Sequence, residues 1–169
     1  MIYRQNYATS DGFDDMVMIS DGEKLTGLLF TGSEDMRKFS LPENETSLPV
    51  FDKTKEWLDE YFGGEIPSFT PDLCVSALSP FQKTVSGIMM EIPYGKTMTY
   101  GEMATIIAKE RGIKRMSARA VGGAVGANPI CIIIPCHRVL GANGAITGYN
   151  GGIKNKENLL KLEKIPFHR

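Results

Sequence analysis

One ten-residue segment constrains this chain more than any other, because it is almost wholly apolar until it reaches a proline. Residues 130–139 are Ile-Cys-Ile-Ile-Ile-Pro-Cys-His-Arg-Val. An apolar run that stops at a proline predicts a buried strand ending in a turn, since proline has no N–H to donate to a neighbouring strand. That turn would place Cys136 and His137 against one cavity, as a nucleophile beside a base.

The Cys-His pair has a structural explanation as well as a chemical one. A thiol of ordinary pKa, about 8.5, is only a few per cent ionised at neutral pH, so an imidazole that removes its proton would raise its reactivity. A buried thiol beside a hydrogen-bonded histidine is, however, a frequent structural feature. The dipeptide alone leaves both explanations open.

The size and the cysteines limit the class of protein. A chain of 169 residues can bury a core as one domain or as two lobes. Cys74, Cys131 and Cys136 form no CxxC pair, and with only two histidines they supply a metal site poorly. We expect Cys74 and Cys131 to be buried small hydrophobes, and reduced thiols favour a cytoplasmic location. The N-terminus lacks a signal sequence, and no apolar run approaches the length of a membrane helix.

Charge is divided unevenly along the chain. Residues 1–78 carry 6 Lys and Arg against 15 Asp and Glu, whereas residues 79–169 carry 13 against 5. The net charge of −1 therefore hides an acidic half and a basic half. A basic surface is suited to a polyanion such as nucleic acid, although it can equally be a solvated face.

The first half predicts a small antiparallel sheet followed by a helix. Three partly alternating segments span residues 2–8, 16–20 and 24–30, and Asp-Gly dipeptides, which are typical of hairpins, separate them. Residues 51–62 have helical periodicity and end at two glycines. A proline-rich segment follows, in which the charge balance changes sign. We therefore predict domains of residues 1–78 and 79–169.

The second half predicts short helices. Phe81 to Ile92 form an amphipathic segment, Thr99 and Glu102 form a capping box, and a further helix begins near Ser117. The helices that begin at Thr99 and near Ser117 are joined by a basic turn. Together they have the size of a helix-turn-helix, although many all-α packings share this pattern. The helix that begins near Ser117 contains mostly Ala and Gly, with Arg119 as its one long side chain. This composition permits close approach either to DNA or to another helix.

Five motifs occur together in this half: residues 94–102, 118–122, 126–129, 134–139 and 148–152. The set closely resembles the O6-alkylguanine-DNA alkyltransferases, also called methylated-DNA–protein-cysteine methyltransferases. The match runs from about Ser79 to Glu163, whereas the first half resembles the family only in size and element order. The resemblance implies an α/β (α+β) fold with a sheet-plus-helix lobe and a mostly helical lobe that carries a winged helix-turn-helix-like motif.

The resemblance also implies an activity. The protein would transfer an alkyl group from O6-alkylguanine, and from O4-alkylthymine, in double-stranded DNA to Cys136. A stable thioether would remain, so each molecule would act once as a methyltransferase and repair one lesion. The resemblance implies no cofactor, metal or membrane partner, and a monomeric protein.

Family roles map onto individual residues. His137, oriented by Glu163, would deprotonate the thiol through a water, Asn128 would bond nearby backbone, and Tyr100 would donate toward the base. Arg119 would enter the base stack after the target nucleotide is rotated out. The other residues expected to contact DNA are Ser117, Tyr100, Ala120 and Gly123. The expected walls of the substrate pocket are Tyr100, Val139, Tyr149, Asn150 and Gly151.

Some residues differ from the family pattern, and other functions compete. Asn150 stands where some members have serine, and Cys131 stands where many have a proline that shapes the pocket, so the preferred alkyl group stays open. One competing hypothesis is a module that recognises alkylated guanine without transfer, although relatives of that kind lack the cysteine. Another is a cysteine hydrolase, which no oxyanion motif supports.

Overall fold

The first half holds a three-stranded antiparallel sheet of order β1-β2-β3. We describe a computed structural model of residues 1–169, in which the strands are Tyr3–Tyr7 (β1), Met16–Ser20 (β2) and Leu25–Phe30 (β3). Central strand β2 is buried along its whole length. Gly27 lies opposite Ile19, and a Cβ there would approach the Ile19 side chain to 2.9 Å. The predicted sheet is confirmed.

Helix α1 (Pro49–Phe62) packs on this sheet. Its buried side chains follow the helical period, which explains why the sequence revealed it, and it ends at Gly63. These side chains are Val50, Phe51, Thr54, Trp57, Leu58 and Tyr61. Between β3 and α1, a single 3₁₀ turn spans Glu34–Lys38.

Four helices form most of the second half: α2 (Pro80–Met90), α3 (Tyr100–Arg111), α4 (Ala118–Gly126) and α5 (Ile153–Leu162). The predicted Thr99–Glu102 capping box at the start of α3 is confirmed, and Ser117 caps α4. Gly112 ends α3 in the left-handed conformation that glycine adopts without strain. Helix α4 packs against both α2 and α3.

The apolar run before Cys136 is buried as expected, but it is not a strand, so that prediction is wrong. Ile130 forms one bridge to Leu28 of β3, and the chain then turns through Ile132, whose φ is +71°. A left-handed residue breaks the alternation that a strand requires. A 3₁₀ turn at Cys136–Arg138 and the short strand β5 (Val139–Leu140) follow, and β5 pairs in parallel with β4 (Met98–Thr99).

The main core is a cluster of 32 buried apolar residues from both halves of the chain. The predicted boundary between residues 78 and 79 stays a prediction. Cys74 is only partly buried, in contrast to the expectation, because the segment around it runs along the edge of β3, where its N–H donates to the Leu25 carbonyl. No helix combines the length and the apolar character needed to cross a membrane.

Candidate active site

A cavity of about 490 Å³ opens beside α4, and Cys136 lines it. Tyr100, Tyr149, Asn150 and Gly151 line it as the sequence predicted. The remaining lining residues are Asp35, Ala118, Arg119, Gly122, Val125, Gly126, Asn128, Cys131, Thr147, Gly148 and Lys156. The cavity therefore brings a cysteine, two tyrosines and an exposed helix together.

Val139 does not line this cavity, so its predicted place in the pocket wall is wrong. The side chain is fully buried in the main core, and the backbone pairs with Met98 in the β4–β5 ladder. Only its carbonyl faces the site, where it accepts a hydrogen bond of 2.9 Å from Lys156 Nζ.

Asn128 holds the backbone that presents Cys136. Its Nδ2 donates to the carbonyls of Ile130 (3.2 Å) and Ile134 (2.9 Å), and its Oδ1 accepts from the Ile130 N–H (3.0 Å). All three backbone groups belong to buried residues. The two carbonyls also accept from the N–H groups of Ile134 and Cys136, whereas the Ile130 N–H depends on Asn128 alone. The side chain thereby closes the turn directly before Pro135 and Cys136.

Replacing Asn128 with alanine should destabilise the protein by about 3 kcal/mol, because the buried Ile130 N–H would lose its partner and two buried carbonyls would each lose one of two hydrogen bonds. The matched control is Asn158→Ala, which removes one hydrogen bond to the Gly12 carbonyl at a more exposed site and should cost about 1 kcal/mol. Urea denaturation of both variants measures the difference. Equal losses would contradict the bracing role of Asn128.

The surroundings of Cys136 favour its thiolate. A hydrogen bond from the Cys131 thiol contributes most, and together with Asn128, Tyr149 and the Lys156 charge it outweighs burial and lowers the Cys136 pKa from 9.0 to about 7. The Tyr149 hydroxyl lies 3.8 Å from Sγ. The same interaction, together with burial, raises the pKa of Cys131 well above 9.0. The surroundings therefore favour the thiolate at Cys136 and the protonated, hydrogen-bond-donating thiol at Cys131.

Lys156 is a buried cation in this site that sequence analysis missed. Its Nζ donates to the carbonyls of Val139 (2.9 Å) and Gly148 (3.1 Å), and burial lowers its pKa from 10.5 to about 8. A lysine in a helix is normally exposed, so nothing in the local sequence signals this position. The buried side of α5 consists of Asn155, Lys156, Leu159 and Leu160.

Behind the cavity, Glu163 is the centre of a buried network. Its Oε2 accepts from His137 Nε2 (2.5 Å) and from the Tyr61 hydroxyl (2.6 Å), and its Oε1 accepts from Arg138 Nε (2.8 Å). Burial alone would raise the Glu163 pKa, but the hydrogen bonds from His137 and Arg138 and the Arg138 charge lower it from 4.5 to about 2. Nothing in the local sequence indicated that Tyr61 and Arg138 would bond to Glu163.

His137 itself does not line the cavity, in contrast to the expectation that the thiol and the imidazole face one space. The ring is fully buried, and burial lowers its pKa. A neutral imidazole that donates from Nε2 to Glu163 leaves Nδ1 as a basic nitrogen, and Nδ1 has no hydrogen-bond partner in the protein. Glu163 thus orients the ring and sets its tautomer.

The outer face of α4 is bare and exposed. Ser117, Arg119, Ala120 and Gly123 are all exposed, and Arg119 also lines the cavity. At the end of α4, the exposed Asn150 donates from Nδ2 to the Gly126 carbonyl at 2.5 Å, and a Cβ at Gly126 would lie 3.2 Å from that nitrogen. Small residues therefore leave room for Asn150 at the end of α4 and for free approach to its exposed face.

Comparison with known proteins agrees with this geometry. Residues 80–165 match the family model described as 6-O-methylguanine DNA methyltransferase, DNA binding domain. A methylated-DNA–protein-cysteine methyltransferase of Haemophilus influenzae is 40% identical over 152 residues, which are 90% of this chain and 82% of the relative. One from Methanosarcina acetivorans is 49% identical over 121 residues, or 72% of each chain.

The similarity extends to three-dimensional structure. The crystal structure of Mycobacterium tuberculosis OGT in complex with DNA superposes with a TM-score of 0.78 at 36% identity, and the match covers 96% of this chain and 92% of that one. The family model covers the helices around the cavity, and the relatives match both halves. The chain therefore belongs to the 6-O-methylguanine DNA methyltransferase family.

Proposed function

We propose that this protein repairs DNA by transferring the alkyl group of O6-alkylguanine to Cys136, once per molecule. The observation that carries the proposal is a thiol of lowered pKa in a cavity that opens at the exposed face of α4. A guanine inside a duplex cannot reach a buried thiol, so the nucleotide must rotate out of the stack. Arg119, exposed at the cavity mouth, is placed to fill the gap that it leaves.

The chemical step is an in-line displacement at the alkyl carbon. The Cys136 thiolate forms the S–C bond while the C–O6 bond breaks, and the electron pair of that bond leaves with the guanine. The thiol proton passes to Nδ1 of His137 through a water, while Glu163 holds the ring. A proton returns to the guanine, so the products are a thioether and a neutral base.

Tyr100 is placed to assist the leaving base. It lines the cavity, and burial raises the pKa of its phenol, so the hydroxyl remains a hydrogen-bond donor at neutral pH. Ser117, Ala120 and Gly123 form the surface against which the duplex would lie. Their small side chains let the backbone of α4 approach closely.

The test is an incubation of the protein with duplex DNA that contains one O6-methylguanine, followed by intact-mass measurement and peptide mapping. We expect one added methyl group per molecule, on the peptide that contains Cys136, and no addition with undamaged DNA. Tight binding without a mass change would favour the recognition-only hypothesis. Repeated release of product without a modified protein would favour a hydrolase.

Three finer points belong to the proposal. O4-alkylthymine is a second substrate, which the same mass assay tests with the corresponding DNA. The protein acts as a monomer, which sedimentation of the free protein and of its DNA complex tests. The cytoplasm is its location, which fits a reaction that needs Cys136 as a free thiol, and cell fractionation tests this assignment.

A further inference from the structure

One wall of the cavity comes from the first half of the chain. Asp35 lies on the 3₁₀ turn Glu34–Lys38. Among the residues that line the cavity, it is the only one from residues 1–78 and the only one with a carboxylate. It is 6% exposed, which is unusual for an aspartate unless the group is paired or functional. The acidic half thus contributes one charge directly to the reaction site.

The Asp35 carboxylate is only partly neutralised. Its Oδ1 lies 2.8 Å from Nζ of Lys38, a side chain that is 65% exposed, and it takes part in no other hydrogen bond or ion pair. Neither of the two cations that line the cavity pairs with Asp35. Lys156 donates to two carbonyls, and the Arg119 side chain is exposed. The Asp35 charge also helps to raise the pKa of the Cys131 thiol, so its field reaches the floor of the cavity.

The reaction geometry makes this wall relevant to the alkyl group. The carbon bonded to O6 must contact Cys136 Sγ, so any atoms beyond that carbon occupy the space beside Sγ. Cys131 and Asp35 line the same cavity as Cys136. A methyl group has no further carbon atoms, whereas a larger substituent extends into the cavity that these side chains line.

Building on the proposed function, we propose that Asp35 sets the charge selectivity of the alkyl pocket. Its carboxylate repels O6 substituents that carry a negative charge, and it accepts a hydrogen bond from neutral substituents that carry a donor. The acidic half therefore takes part in substrate choice as well as in folding.

The test uses two lesions of nearly equal shape, O6-carbamoylmethylguanine and O6-carboxymethylguanine, in the same duplex. Single-turnover rate constants are measured by intact mass for each lesion. The rate constant for the carbamoylmethyl lesion divided by that for the carboxymethyl lesion gives a ratio, which is compared among variants. Part of the wild-type ratio reflects the different intrinsic reactivities of the two lesions and the repulsion of the charged lesion by the Cys136 thiolate. Both contributions are the same in every variant. We expect Asp35→Asn to lower the ratio about tenfold, because it removes one charge without changing shape.

Two further variants provide controls. Glu34→Gln removes a charge from the same turn at an exposed position outside the cavity, and it should keep the wild-type ratio. Lys38→Met leaves Asp35 in place without its counter-ion and should raise the ratio, which keeps the proposal testable if Asp35→Asn folds poorly. A wild-type ratio in Asp35→Asn, or in Lys38→Met, would overturn the proposal. An O6-methylguanine duplex is run in parallel, and failure of the wild-type protein there would instead reject the proposed function.

Discussion

Replacing Cys136 with alanine is expected to abolish alkyl transfer while DNA binding is retained. Cys131 is the other thiol in the cavity, and its burial still disfavours the thiolate after the Cys136 thiol, which raises its pKa in the wild type, has been removed. The exposed surface of α4, which we propose to contact DNA, does not depend on the thiol. Intact mass should show no added methyl group over a time in which the wild-type protein reacts completely, and a binding assay should show affinity within about threefold of wild type.

Cys74→Ala is the matched control for this variant. Cys74 lies outside the cavity on the segment that runs along the edge of β3, so its removal should leave both transfer and binding as in the wild type. A methyl group found on Cys136→Ala protein would identify another acceptor. That result would contradict the assignment of the nucleophile.

Replacing Glu163 with glutamine should both destabilise the protein and slow transfer. Arg138 would remain buried without its counter-ion, which costs about 3 kcal/mol. His137 would lose the carboxylate that orients its ring, and the transfer rate should fall about 100-fold, within the range for a general base. Urea denaturation and single-turnover kinetics measure the two effects.

The same prediction has a pH dependence with a definite sign. Folding lowers the Glu163 pKa from 4.5 to about 2, so the stability that this carboxylate contributes is complete above pH 4.5 and is lost as the pH falls toward 2. The stability gap between wild type and Glu163→Gln should therefore narrow in that window. Glu157→Gln, on the same helix and paired with exposed Arg169, should cost less than about 1 kcal/mol. Equal effects of the two substitutions would contradict the role of the buried network.

Local patterns predicted those parts of the fold that depend on neighbouring residues. The hairpin dipeptides and alternation located all three strands of the sheet, and the Thr99–Glu102 pair located the start of α3. Pairing between adjacent strands and capping within one turn involve residues close in sequence. The motif set, in addition, indicated the family and placed most of the cavity wall.

The two main errors concern residues whose partners the local pattern does not show. The run from Ile130 to Ile134 has the composition of a strand, but it meets β3 at a single bridge to Leu28. Its other backbone hydrogen bonds are made within the turn around left-handed Ile132 and with the neighbouring Asn128 side chain. Lys156 has the composition of a surface residue, but the carbonyls of Val139 and Gly148 receive its ammonium group.

Residue types and spacing therefore suffice for the sheet and the helices, and the motif set suffices for the family to which this chain belongs. The direction of His137, the burial of Glu163 and the presence of Asp35 in the cavity depend on packing between the two halves. Tyr61, for example, reaches Glu163 across 102 residues of chain. A hydrogen bond of this kind forms only after both halves have buried their common core, because the core brings the two side chains together and excludes the water that would compete for them.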